Sequence, residues 1–375
     1  MSCFSRNRFG WSLFVLFMLT MFAIVVHADD GKKFRYCYVS LDDALPSGFL
    51  FFDPAALDNQ DRVYGTIFDE LFNRHIAVYE DGVLNVLQPL QPEDIGNVFN
   101  SVGTLGGSVL IDPVNVVYQA ALFYDDQVEL IPPQPGEIFS WVIALNDAGT
   151  ALVESFDTLG QQIFALYKNG ESTVFNFGPT VANPFFLSIN NQGIISGTTF
   201  IPELGLRGFR FNTRTGETTV LDPLTTEPDA LTQGINNRGE VLGYSFFGGG
   251  LERIGIWNRK GKFKTYFVEG TPEFPTISNR LLFNDNNLIV ITVVTRPASE
   301  TDNSYLVPKP GVRLNLADLV ENLPSGANLS SIQDLNDHGN IIGGGSLGTF
   351  LLERIEEDDE DYLESEACTT PAAAS

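Results

Sequence analysis

The chain alternates short apolar runs with polar corners, and one combination of the two keeps returning. "INNQGIISG" (189–197), "INNRGEVLG" (235–243) and "LNDHGNIIG" (335–343) share a large apolar residue, an Asn, two polar positions, a Gly and then an apolar run. Set in register, the phrase occurs seven times, the other copies being "LDNQDRVYG" (57–65), "FNSVGTLGG" (99–107), "LNDAGTALV" (145–153) and "FNDNNLIVI" (283–291). Its anchors are Asp58, Asn100, Asn146, Asn190, Asn236, Asn284 and Asn336, separated by 42 to 52 residues. A period in the forties is a supersecondary unit repeated along the chain.

The columns of the phrase describe a hairpin. Three positions after the anchor stand Asp61, Gly103, Gly149, Gly193, Gly239, Asn287 and Gly339. These residue types tolerate positive φ, which a hairpin turn ending in a left-handed, bulged residue requires. The anchor side chain can bond the turn backbone two residues on. A second strand pair follows in each unit, as in "IAVYEDGVLNVL" (76–87), "FALYKNGESTVF" (164–175), "FRFNTRTGETTVL" (209–221) and "IGIWNRKGKFKTYF" (254–267). Four strands in about 46 residues, seven times over, predict an all-β, seven-bladed β-propeller.

The ends of the chain predict how the ring closes. Only "NIIGGGS" and "TFLLERI" follow the last phrase, so the seventh blade lacks a strand. "KFRYCYVSL" (33–41) is a strand without a hairpin partner, alternating Phe34, Tyr36, Tyr38 with Arg35, Cys37, Val39. It is expected to complete the seventh blade and leave no long open edge.

Composition then adds a compartment. Residues 1–28 read as a signal peptide: Arg6 and Arg8, the apolar "WSLFVLFMLTMFAIVV" (11–26), and Val26-His27-Ala28 before Asp29. The apolar run is short for a membrane span, and an uncleaved anchor is the alternative. The organisation expected is leader 1–28, propeller 29–352 and an acidic, disordered tail 353–375. An exported, secreted, periplasmic or surface protein follows. The formal net charge of −25 becomes more negative when the leader's two arginines are lost. Such a surface disfavours nucleic acid and anionic lipid as partners. It favours a cation or a basic protein surface, and a monomer is expected. Nine acids lie between Glu353 and Glu366. Outside the leader, Cys37 and Cys368 either form a disulfide or remain two separate thiols.

The phrase is similar to the "IN-x-x-G-x-V-x-G" element of the HAF-type extracellular repeat family, best matched at 189–197, 235–243 and 335–343. The "HAFLW" that follows in that family is replaced by "HIAVY" (75–79), "AALFY" (120–124), "GFRF" (208–211) and "GIW" (255–257). The resemblance implies an exported repeat protein and brings no catalytic residue or activity.

Chemistry is sparse. His338 falls in a variable turn column, and His75 opens a strand with no cysteine or second histidine nearby in sequence, so neither zinc binding nor a Ser-His-Asp triad is indicated. "GTLGG" (103–107), "FFGGG" (246–250) and "GGGSLG" (343–348) lack the Lys and Ser/Thr of a phosphate loop and read as close strand packing. Calcium is compatible with the charge, but no motif indicates it, and no cofactor is expected. Carboxylates such as Asp42-Asp43 and Asp125-Asp126 read as turn acids, although a hydrolytic pair could assemble across blades.

In a four-strand meander the Asn-x-x-Gly turns lie at one end. The second turns and the blade-to-blade links lie at the other, as in "DELFNR" (69–74), "LQPLQPEDIGN" (87–97), "FFGGGLER" (246–253), "VEGTPEFPTISNR" (268–280) and "ADLVENLPSGANLS" (317–330). Variable loops on a rigid scaffold are where recognition sits. The expectation is therefore a non-catalytic scaffold binding an extracellular protein or glycan through its long-loop face. The alternatives are a carboxylate-based hydrolase or lyase acting near the axis, and a purely structural surface protein.

Overall fold

The computed structural model describes residues 34–90, 94–124, 127–224, 229–247, 251–269, 277–294, 303–355 and Cys368. The leader, the pair Asp125-Asp126, the glycines of "FFGGG" and most of the tail lie outside these residues.

The chain is a seven-bladed β-propeller. Seven four-stranded antiparallel sheets follow one another, at 49–89, 95–130, 137–175, 185–221, 229–269, 277–315 and, for blade 7, 331–355. The first strand of each blade lies against the first strand of the next, and the circuit is completed between blades 7 and 1, so these strands line the axis. Between neighbouring blades lie apolar clusters such as Leu152, Phe164, Ile195, Phe209 and Phe211, which join blades 3 and 4. Burial of this kind contributes about 25 cal/mol per Å² and is the main force holding one blade to the next.

Blade 7 is completed as the sequence predicts. Arg35–Ser40 pairs antiparallel with Gly348–Ile355, Tyr36 opposite Arg354 and Tyr38 opposite Leu352. The far edge of this strand is covered from the preceding link: Glu321 N–H donates to Tyr36 O (3.0 Å), and the Asn322 side chain bonds both Tyr38 N (2.6 Å) and Tyr38 O (3.0 Å). Cys37 is bonded to Cys368, with Cα atoms 5.3 Å apart. One boundary differs from the expectation. The last strand runs to Ile355, because Glu353, Arg354 and Ile355 still find backbone partners on Cys37, Tyr36 and Arg35. The run of acids therefore begins inside the sheet.

Each first strand also carries a register shift, for example Pro54/Ala56, Val142/Ala144, Thr232/Gly234 and Ile332/Asp334. The kink pushes the first strand over the second, and this explains the glycine that closes the phrase. A Cβ on Gly243 would stand 2.0 Å from Leu231 O, and one on Gly343 would stand 2.4 Å from Ser331 O. Close strand packing, not phosphate binding, accounts for these glycines.

Candidate functional site

All seven blades meet at the phrase end. Each anchor accepts backbone N–H groups in its own turn: Asn190 Oδ1 takes Gln192 N (3.1 Å) and Ile194 N (2.9 Å). The residue three positions on has positive φ in every copy, from 59° at Asn287 to 91° at Gly339. The hairpin reading of the phrase is therefore correct, but it covers only half of the chemistry.

The anchor's amide reaches the next blade. Asn100 Nδ2 donates to Asn146 O (3.2 Å), Asn146 to Asn190 O (2.7 Å), Asn190 to Asn236 O (2.9 Å), Asn284 to Asn336 O (2.9 Å) and Asn336 to Asp58 O (2.8 Å). Asn236 instead meets the side chain of Asn287 (3.2 Å). A second belt runs beside the first through the following residue. Ser101 N bonds Asp147 Oδ1, Asp147 N bonds Asn191 Oδ1, and the series continues through Asn237, Asp285 and Asp337 to Asn59. Neither belt crosses from blade 1 to blade 2 among the described residues. The Asp58 side chain has no N–H to give and accepts from Arg62 Nε instead (2.7 Å), while the Ser101 side chain lacks the carbonyl arm that its counterparts offer.

These turns surround a cavity of about 230 Å³ on the axis. Its anchor amides and many of its rim side chains are already committed to neighbouring blades, so the mouth is chiefly a structural ring.

Deeper on the axis, the first strands of blades 6, 7 and 1 bring together Arg280, Gln333, Asp334 and Asp53. Arg280 donates to Gln333 Oε1, and Asp334 accepts Leu57 N and Leu335 N, both at 2.8 Å. Burial raises the pKa of Asp334 and of Asp53, with Arg280 opposing the rise at both; burial lowers that of Arg280. The guanidinium is open to solvent along the axis yet enclosed by protein, and this enclosure weakens its hydration. Such a cluster can exchange protons or grip a polar ligand. No sequence spacing reveals it, because its members come from three blades.

Asp53 carries a sign-definite prediction. A carboxyl whose folded pKa lies above the unfolded value of 3.8 withdraws stability as pH rises from that value through the folded pKa. The Tm of D53N is therefore expected to match the parent near pH 3.5 and to exceed it at pH 7. A pH-independent difference would contradict this assignment.

The opposite end is different in kind. Here the second turns and the strand starts expose Leu71, Phe72, Val114, Val116, Leu159, Phe186 and Phe200. Phe51 stacks on Phe68 at 4.3 Å, and Phe185 meets Phe186 edge-on at 5.0 Å. Three of the exposed residues have positive φ: Phe72 at 61°, Val116 at 55° and Phe186 at 54°. Bulky and β-branched residues rarely accept this conformation. The phrase turns fill the same need with Gly, Asn or Asp. F72G and V116G are each expected to raise stability by roughly 0.5–1 kcal/mol, since left-handed backbone costs an L-residue about 1–2 kcal/mol and glycine's extra chain entropy offsets part of the gain. Denaturant midpoints at constant m-value check this, and a loss of stability would refute it.

Of the described histidines, one stands in a phrase turn and the other beside the second turn of blade 1. His338 is exposed, 3.5 Å from Asp61, and His75 packs on Phe49 with Asp69 3.5 Å away. Asp42 of the Asp42-Asp43 pair holds Thr349 Oγ1 at 2.7 Å, as a structural acid.

No family model matches the sequence, and no curated sequence is significantly similar to it. Solved structures are similar in fold. The β-propeller domain of the Trilobed protease from Pyrococcus furiosus, described as having an open velcro topology, shares 11% identity at a TM-score of 0.52, covering 83% of this chain and 99% of that one. The acylaminoacyl peptidase of Pyrococcus horikoshii gives 11% and 0.52, covering 84% of this chain and 53% of the peptidase. One of two prolyl endopeptidases gives 10% and 0.52, covering 84% and 47%. This chain thus spans about half of each of those two enzymes, and at these identities the likeness is one of fold.

Proposed function

We propose that the protein is an exported, non-catalytic scaffold that binds a protein or a glycan through its long-loop face. One observation carries the reading: bulky apolar side chains stand exposed on strained backbone at that end, where glycine would relieve both costs. Strain of this kind persists at sites where something other than stability is served. The apolar leader and the bonded cysteine pair support export, and the repeat phrase supports kinship with HAF-type exported repeats.

A carboxylate hydrolase acting near the axis is the second reading, favoured by the raised pKa of Asp53 and Asp334 beside Arg280. A thermal-shift screen of the purified protein with oligosaccharides and basic peptides separates the two. A ligand at a hundred times its Kd stabilises by about 2.7 kcal/mol. The binding reading expects a shift that F72G/V116G/F186G abolishes and D53N leaves intact. A shift abolished by D53N instead, accompanied by turnover of the same compound, would replace it with the enzymatic reading.

A further inference from the structure

The long-loop face repeats one turn in three consecutive blades, and it is the phrase turn with its chemistry inverted. In "DELFN" (69–73), Asp69 Oδ1 accepts Leu71 N (2.9 Å) and Asn73 N (2.8 Å), and Phe72 N bonds Asp69 O (2.9 Å). In "DTLGQ" (157–161), Asp157 Oδ1 accepts Leu159 N and Gln161 N, both at 2.8 Å, and Gly160 N bonds Asp157 O (2.9 Å). In "DPVN" (112–115), Asp112 Oδ1 accepts Val114 N (2.9 Å) and Asn115 N (3.2 Å).

At the phrase end the residue two positions after the anchor is Gln60, Val102, Ala148, Gln192, Arg238, Asn286 or His338, most of them polar. At this end it is Leu71, Val114 or Leu159, exposed by 81%, 87% and 79%. These are the three most exposed large apolar side chains among the described residues. The backbone N–H of each is bonded to its own aspartate, so the turn that carries it is set before any partner arrives, which lowers the entropy lost on binding. The hydrogen bonds keep the Asp69 and Asp112 carboxyls below their ordinary pKa, so the base of these turns stays negative.

We infer that Leu71, Val114 and Leu159 form a row of fixed apolar contacts for a partner protein segment whose apolar side is flanked by Lys or Arg. The inference rests on the reading of the long-loop face as the binding surface and assigns it a protein ligand in place of a glycan. Charge complementarity selects this occupant. Asp69, Glu70, Asp112 and Asp157 stand in the same turns as the row, Glu203 stands in the corresponding turn of blade 4, and the whole chain carries a net −25. A second copy brings the same acids to the contact and is repelled, as is an anionic membrane.

The test compares the parent protein with L71S/V114S/L159S and with D69N/D112N/D157N. The serines replace side chains that pack on little, so Tm is expected to hold. The asparagines keep the Oδ1 acceptor and remove the charge, at the cost of the bonds that Asp69 Oδ2 accepts from Asn73 Nδ2 (2.8 Å) and Asp112 Oδ2 from Asn115 Nδ2 (2.7 Å), so the Tm of this variant is read beside its affinity. The probe is a fourteen-residue amphipathic peptide of Leu and Lys, followed by fluorescence anisotropy, with a Leu/Glu peptide as control. Binding of the Lys peptide is expected to weaken about tenfold or more in the serine variant. In the asparagine variant it should weaken severalfold and lose most of its salt dependence, and the Glu peptide should not bind. Equal affinity across all three proteins overturns the inference. So does row-dependent binding of phosphatidylcholine vesicles in place of the peptide, or row-dependent self-association in sedimentation. An oligosaccharide shift that survives the serine substitutions but is lost in F72G/V116G/F186G would overturn this inference alone. Loss of every ligand in D53N, with none lost at the long-loop face, would overturn the underlying reading as well.

Discussion

Replacing Cys368 with serine is expected to lower stability by about 3–5 kcal/mol, read as a fall of the order of 10 °C in Tm. The bond joins residues 331 apart in sequence, so nearly the whole propeller lies within the loop that it closes. The entropy removed from the unfolded chain grows with the logarithm of loop length, which places this cross-link near the top of the usual range. It also pins the strand Arg35–Ser40, on which ring closure depends. C368S isolates the cross-link because it leaves the buried Cys37 side chain in place. C37S/C368S should cost little more than C368S, since one bond is lost in both. Calorimetry of the three proteins, with a non-reducing peptide map of the parent, checks the prediction. An unchanged Tm in C368S would refute it.

The second large effect belongs to the belt of anchor amides. Asn190 is buried and makes three bonds, two within its turn and one to Asn236 O in the next blade. N190A is expected to cost about 3 kcal/mol, roughly one per bond and more where a buried N–H or carbonyl is left unmatched. N190D is nearly isosteric and keeps both turn bonds, yet it is expected to cost about as much, because a buried carboxylate would then face the Asn236 carbonyl. Acidification should restore part of the loss, since a protonated carboxyl can donate again. At Asp58 the chain already tolerates this change by supplying Arg62 four residues on, at 2.7 Å. N190D/I194R copies that pair and should recover stability at neutral pH. A fully stable N190D would remove the belt from any account of this fold.

The fold was legible because each blade writes its own first hairpin with an Asn or Asp anchor and a residue able to adopt positive φ. The closing strand was legible because "KFRYCYVSL" had no partner of its own. The belts were half legible. Asn59, Asp147, Asn191, Asn237, Asp285 and Asp337 form a column as regular as the anchors, but its bonds run between blades, and a column shows residue type without showing partner. The turns at Asp69, Asp112 and Asp157 recur at the same period, but only the third writes its left-handed residue openly, as Gly160; the first two place theirs on Phe72 and Val116. Asp53, Arg280 and Asp334 could not be read together at all, since only closure of the ring makes them neighbours. The end of the sheet was misplaced at 352 because Glu353 and Arg354 resemble the tail in composition, while backbone pairing ignores composition.

The anchor amides and the backbone N–H groups of the second belt donate from one blade to the blade that follows, and among the described residues the interval between blades 1 and 2 has neither bond. Mechanically this is a split ring, not a hoop. Anything wedged into the axial mouth meets no belt bond at that one interval, where apolar contacts such as those of Ile76, Leu105 and Phe123 take the load. Dilation therefore has a fixed address, next to Asn59 and Ser101, on a molecule whose outline gives no hint of where it would open.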